Sequence, residues 1–165
     1  MGALDDFNGE TADRAVQRLR ACNAAPRFAA EVVAGRPYPD ADALVARAEQ
    51  VARGLPWAEV ELALAVHPRI GERPEGTSPE AAASRREQGA MGGADAGTRA
   101  ALAEGNRRYE ERFGHVFLIR AAGRSPEEVL AELQRRLGAD EEAERAEATE
   151  QLAQITALRV RELVA

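Results

Sequence analysis

Apolar residues recur three and four positions apart along most of this chain, while the strict alternation of a half-buried strand is nearly missing. Over 11–22, Ala15, Leu19 and Cys22 share one helical face, and Pro26 then opens a short helix that Gly35 ends. Arg36-Pro37-Tyr38-Pro39-Asp40 is a turn by composition; Asp40 caps a helix running to about Arg53, closed by Gly54. Pro56 and Trp57 start another, through Leu62 to about Val66, because Pro68 holds His67 in extended backbone. Ser78-Pro79-Glu80 begins the next, which continues through Gln88 before Gly89, Gly92 and Gly93 loosen the chain into a flexible connector. Asp95 restarts a helix that reaches Phe113, and Gly114 stops it.

The stretch 115–122 reads as a connector holding the apolar triplet Phe117-Leu118-Ile119. Ser125-Pro126-Glu127-Glu128 is a capping box whose helix ends at Gly138. From Asp140 to about Val164, Leu152, Ile155, Leu158 and Leu163 mark a long amphipathic helix. The pattern predicts an all-α, single-domain helical bundle of about seven to eight helices over 1–165, with no repeat or interdomain linker.

Composition narrows the class. A length of 165 residues suits one domain, since domains commonly hold ~100–150 residues. Aromatics are only 4% of the chain, so Ala, Leu and Val must build the core, which favours close-packed helices. A net charge of -6 argues against nucleic acid as partner, because such proteins need positive surface to displace counterions. Arg99, Arg107, Arg108 and Arg112 form a local basic group, but Glu104, Glu110 and Glu111 lie between them, the pattern of a solvated and paired helix face. The single cysteine, Cys22, cannot form an internal disulfide, the start 1–8 lacks a signal-peptide pattern, and no stretch reaches the ~18 apolar residues of a membrane span. These features predict a cytoplasmic protein without membrane attachment.

Candidate chemistry concentrates between Val66 and Gln88. On a helix Ser84, Glu87 and Gln88 point one way and Arg85 and Arg86 elsewhere. If His67, at the preceding helix exit, lies across from that patch, an imidazole that titrates near neutrality stands beside a carboxylate able to set its tautomer. The loop 71–77 is then placed to cover the site. Taken singly, these residues are undistinguished: His before Pro commonly just ends a helix, and Ser-x-x-Glu-Gln is common on solvated helices. The only other histidine, His115, stands in no ligand spacing, so no metal site is expected. The glycines of 89–97 lack the Lys-Ser/Thr ending of a phosphate loop, and no Ser sits in a Gly-x-Ser-x-Gly elbow.

Several separated segments together resemble the 2-oxo-4-hydroxy-4-carboxy-5-ureidoimidazoline (OHCU) decarboxylase family. Phe7-Asn8 and Cys22 resemble its opening, and Arg36-Pro37-Tyr38 with Leu44 and Ala48 its next block. His67-Pro68-x-x-Gly71 and Ser84-x-x-Glu87-Gln88 form the central pair; Asn106-x-x-Tyr109-x-x-x-Phe113-Gly114-x-x-Phe117 and Ile155-x-x-x-Arg159-Val160 complete the order. The chain departs from the pattern at Asn23 and Phe28, near where a second cysteine and a tryptophan are common, and at His115, where an aromatic often follows Phe-Gly.

The resemblance implies a cofactor-free decarboxylase of urate breakdown, forming (S)-allantoin and carbon dioxide, working as a homodimer on a small-molecule substrate. It assigns proton delivery to His67, substrate hydrogen bonding and His67 orientation to Glu87, and grip on the ureido and ring atoms to Ser84 and Gln88. Pro68 forms a wall, and Ile119, Arg120, Ala121, Ala122 and Gly123 complete the pocket, chiefly through backbone groups. Arg159, with Arg161 as competitor, balances the substrate carboxylate. Two other readings fit the residues alone: a non-catalytic helical interaction module, in which Ser84, Glu87 and Gln88 are freely replaceable, and a related lyase or isomerase acting on another ureido or imidazoline substrate.

Overall fold

Helix boundaries follow local capping chemistry. The computed structural model describes residues 2–72 and 76–165. Asp40 Oδ1 accepts from the Ala43 N–H at 2.7 Å, Asp95 Oδ1 from Thr98 at 2.7 Å, and Ser78 Oγ from Ala81 at 3.1 Å. At Ser125 both arms of the capping box form: Glu128 N–H donates to Ser125 Oγ at 3.1 Å, and Ser125 N–H to Glu128 Oε1 at 3.4 Å. Each satisfies backbone donors that the first helical turn leaves without an intrahelical partner.

Among the described residues the result is nine α-helices, one 3-10 helix and no strand. The helices are α1 (Ala3–Gly9), α2 (Ala12–Arg20), α3 (Pro26–Ala34), α4 (Ala41–Arg53), α5 (Trp57–Leu64), α6 (Pro79–Glu87), α7 (Ala96–Phe113), α8 (Pro126–Leu137) and α9 (Glu141–Leu163). The all-α expectation stands, with one helix more than the sequence pattern predicts. That addition is α1, whose seven residues bury only Phe7 and are too few to display a helical period. A second difference lies at Gly89–Gly93, expected to be a flexible connector and folded as the 3-10 helix. Met91 decides it: its side chain is buried and its N–H donates to the Gln88 carbonyl at 2.9 Å.

The chain divides into two compact units, one of Met1–Ala63 with Leu152–Ala165, the other Leu64–Gln151. In the first, α3 packs against α2 and α4, and Phe7, Leu19, Phe28, Val32 and Leu44 are fully buried. Burying each such side chain contributes about 1.5–3 kcal/mol. The sequence blocks that stand far apart meet here: Asn8 Nδ2 donates to the Tyr38 carbonyl and Oδ1 accepts from the Tyr38 N–H, each at 2.9 Å. Arg36 Nη1 donates to the carbonyls of Phe7 and Glu10 at 2.7 and 2.9 Å. Asn23, fully enclosed, is satisfied by Thr156 Oγ1 at 3.2 Å and the Ala25 N–H at 2.9 Å.

In the second unit α7 packs along α8, and the core joins Ile70, Met91, Leu102, Tyr109, Phe117, Ile119, Val129 and Leu133. The apolar triplet of the connector therefore supplies core residues without regular secondary structure. No helix among the described residues is long and apolar enough to cross a membrane.

Candidate active site

The segment after α5 carries His67 and Pro68, both half-buried, and its first turn is closed by the His67 N–H donating to the Leu64 carbonyl at 3.0 Å. Gly71, with φ 88°, then reverses the chain in a region that side chains rarely enter. Two side chains pin that turn. Gln88 Oε1 accepts from the Gly71 N–H at 2.9 Å, and Asn106 Nδ2 from α7 donates to the Ile70 carbonyl at 2.8 Å. The spacing His67-Pro68-x-x-Gly71 thus has a physical basis: Gly71 makes the bend that ties the histidine segment to the C-terminal end of α6.

That end of α6 carries the other polar candidates. Ser84 is buried, Glu87 and Gln88 are half-buried and Arg86 is exposed, as a shared helix face requires. Arg85 differs from expectation. It lies half-buried with Nη1 on the Gly76 carbonyl at 2.8 Å, and it lines the same cavity as Gln88. With Gln88 Oε1 committed to Gly71, its amide NH2 is the part that can meet a substrate. Residues 73–75, in the loop expected to cover the site, lie outside the described residues.

A cavity of about 780 Å³ opens between this turn, α6 and α7, with Ile70, Met91 and Leu102 as apolar wall and Gln88 and Asn106 as polar wall. Of the residues given a role at the site from the sequence, Gln88 lines that wall, whereas among the described residues His67, Pro68, Ser84, Glu87 and the segment 119–123 do not. Its rim carries Arg69, Arg85, Arg99 and Arg107 against Glu72 and Glu110. Arg69 Nε donates to Glu110 at 2.9 Å, and Arg107 bridges Glu104 and Glu111 at 2.6 and 2.5 Å, so the intervening carboxylates pair with this basic face. Those partners raise the Arg107 guanidinium above its already high value. Exposed pairs of this kind contribute little to stability, because solvent screens them.

The connector beyond α7 begins at Gly114, the left-handed cap of that helix with φ 79°, and turns again at Gly123 with φ 80°. Phe117, Leu118, Ile119 and Ala121 are buried, Arg120 and Ala122 partly so, and Gly123 is exposed. A buried stretch without helix or sheet must find partners for its backbone elsewhere. Here side chains provide them: Gln151 Oε1 accepts from the Arg120 N–H at 2.9 Å, Arg136 Nη1 donates to the Leu118 carbonyl at 2.7 Å, and Arg124 Nε donates to the Arg120 carbonyl at 2.9 Å.

Arg136 is itself part of a buried assembly that sequence reasoning missed. Its Nε donates to both Glu144 oxygens at 2.9 and 3.2 Å, and Nη2 to Oε1 at 2.5 Å, with both side chains 1% exposed. The Tyr109 hydroxyl donates to the same Oε1, and the Arg136 guanidinium lies 4.5 Å from the Phe117 ring centre. Burial, then the hydrogen bond to the Glu144 carboxylate, pushes the Tyr109 hydroxyl well above its ordinary value and keeps it a donor. The signal in the sequence was the helical spacing of Tyr109 with Leu102 and Phe113 and the eight-residue step from Arg136 to Glu144 across the α8–α9 turn, neither of which announces a pair. His115 packs edge-on against Tyr109 at 5.4 Å, so the residue standing where an aromatic was expected still does aromatic packing.

The arginine candidates belong to the other unit. Arg159 is 7% exposed and its Nη1 donates to the Ala21 carbonyl at 3.2 Å. Arg161 is about half exposed and pairs with Asp42 at 2.9 Å. Among the described residues no cluster of three or more His, Cys, Asp or Glu is placed to hold a metal ion.

Comparison with known proteins places these features in context. A family model described as OHCU decarboxylase matches residues 8–161. The 2-oxo-4-hydroxy-4-carboxy-5-ureidoimidazoline decarboxylase of Amia calva is 35% identical over 141 residues, covering 84% of this chain and 81% of that protein. A crystal structure of OHCU decarboxylase in the presence of (S)-allantoin aligns with a TM-score of 0.74 at 24% identity, over 88% of this chain and 95% of that one. A crystal structure of (S)-allantoin synthase aligns at 0.71 with 16% identity, over 98% of this chain and 54% of that one. At those identities the two structures speak to the fold.

Proposed function

Because this chain belongs to the OHCU decarboxylase family, we propose that it is a carboxy-lyase converting 2-oxo-4-hydroxy-4-carboxy-5-ureidoimidazoline into (S)-allantoin and carbon dioxide. The observation that carries the reading is the family match over residues 8–161. The tie between Gly71 and Gln88, which joins the histidine segment to the end of α6, supports it.

The chemistry sets the requirements. Breaking the bond to the carboxyl group leaves an electron pair that enters the substrate's neighbouring C=N unit, and a proton must then return to one face of the ring. Holding the carboxylate out of the ring plane aligns the breaking bond with that sink. His67 delivers the proton, and Glu87 orients it and hydrogen-bonds substrate. Ser84 and the amide NH2 of Gln88 hold ureido and ring atoms, with Pro68 as wall. The segment of Ile119, Arg120, Ala121, Ala122 and Gly123 contributes backbone groups, and Arg159 balances the carboxylate. In the same reading the chain is a single domain, acts as a homodimer and resides in the cytoplasm, the last supported by a sequence whose single cysteine can form no internal disulfide.

The test generates the unstable substrate in place from urate and follows optical activity. The wild-type protein should yield (S)-allantoin faster than the spontaneous reaction, while His67→Asn should lose most turnover and keep its helical circular-dichroism spectrum. Racemic product at the uncatalysed rate from the wild-type protein would refute the assignment; near-normal turnover by the variant would remove His67 from proton delivery.

A further inference from the structure

Arg136 has more hydrogen bonds than the packing of two helices requires. Its charge is enclosed with that of Glu144, and Tyr109 completes the carboxylate's shell. Enclosing an ion pair this fully costs desolvation that its attraction only roughly offsets, and apolar side chains of similar volume often serve stability as well. What an apolar residue cannot do is hold a carbonyl. Arg136 Nη1 does so at Leu118, 2.7 Å away, while its plane covers Phe117 at 4.5 Å. Two consecutive residues of an irregular buried segment are thus fixed by one rigid planar group.

We propose that Arg136, braced by Glu144 and Tyr109, is a positioning residue for substrate binding, fixing the connector at Leu118 and thereby the place of the 119–123 backbone. The inference rests on the reading of that backbone as part of the substrate site. Arg136 does not touch substrate in this scheme. Gln151 holds Arg120 by its amide, so the segment is anchored before and after Ile119, and loss of the first anchor lets the stretch shift while the helices stay packed.

The test keeps a cation in place, since removing it would strand the Glu144 carboxylate without its partner. Lys at 136 preserves the charge but cannot span both Glu144 oxygens and the Leu118 carbonyl. Arg136→Lys is expected to raise KM about tenfold, equivalent to ~1.4 kcal/mol, with kcat per folded molecule changed less than twofold. Amide hydrogen exchange over 119–123 should quicken while exchange in α7 and α8 stays at the wild-type rate. Tyr109→Phe, which keeps the ring and removes the donor to Glu144, should move both readouts in the same direction by less, and it carries the test alone if the lysine variant does not fold.

An unchanged KM overturns the proposal, whatever exchange does. So does a raised KM with unchanged exchange over 119–123, or a fall in kcat that tracks only the loss of folded protein. Wild-type protein without turnover would fail the functional reading instead, and would show as such before any variant is made; the exchange comparison still reports whether Arg136 fixes the connector.

Discussion

At the scale of single residues, several types were informative in the sequence for reasons the structure makes physical. Gly71 had to be glycine: its φ of 88° costs other residues about 1–2 kcal/mol, and its N–H is the donor that Gln88 captures. Gln88 was legible as a site residue, but the commitment of its oxygen to the backbone was not, because a side chain's partner depends on what folding brings opposite. The arginine candidates show the same limit. The sequence ranks Arg159 before Arg161 only through the Ile155-x-x-x-Arg159-Val160 segment; folding encloses Arg159 beside the Ala21 carbonyl and leaves Arg161 an exposed partner of Asp42. The buried guanidinium, shielded from water, is the better partner for a carboxylate, and a planar fork can make two parallel bonds to it. Arg159→Lys is therefore expected to raise KM about tenfold, a loss of ~1.4 kcal/mol, with the circular-dichroism spectrum unchanged; Michaelis kinetics with unaltered KM and kcat would transfer the role to another cation.

At the scale of elements, capping residues located most boundaries because capping is a local reaction between a side chain and amides three positions on. The packing of α7 on α8 was not legible. Gly105 sits in the middle of α7, where glycine is disfavoured, and its reason is tertiary: a Cβ there would stand 2.5 Å from Leu133 Cδ2 and 3.1 Å from its Cγ. Alanine would gain ~1 kcal/mol of helix propensity, against an overpacking cost of about 1–3 kcal/mol in a full core. Leu133 is fully buried and has little room to yield, so the clash wins. Gly105→Ala should lower Tm by roughly 2–4 °C for each kcal/mol lost at this chain length. Shortening the opposing side chain with Leu133→Val in the same protein should cost less than the two single changes added together, since the two positions touch. A Tm equal to or above wild type for Gly105→Ala alone would show that α8 yields without cost.

At the scale of the whole molecule, the family match runs from 8 to 161 and so draws on both compact units. Among the described residues the large apolar side chains Leu62, in the first unit, and Val66, in the second, are each more than half exposed. Light scattering coupled to size exclusion should give about twice the 17.7 kDa of one chain, independent of concentration in the micromolar range. A mass of one chain under those conditions would remove the dimer from the account.

The sequence by itself determined eight of the nine α-helices among the described residues, and the family, because both are written in short-range terms: apolar period, caps, breaker residues and the order of motifs. It also placed Ser84, Glu87 and Gln88 on one helical face, which needs only the geometry of a single helix. Tertiary structure alone decided where the connector's backbone would find partners, why Gly105 must lack a side chain, and that Arg136, Glu144 and Tyr109 would be enclosed together. Those outcomes depend on which surfaces are excluded from water at once, and desolvation is a property of the assembled core rather than of any segment read in isolation.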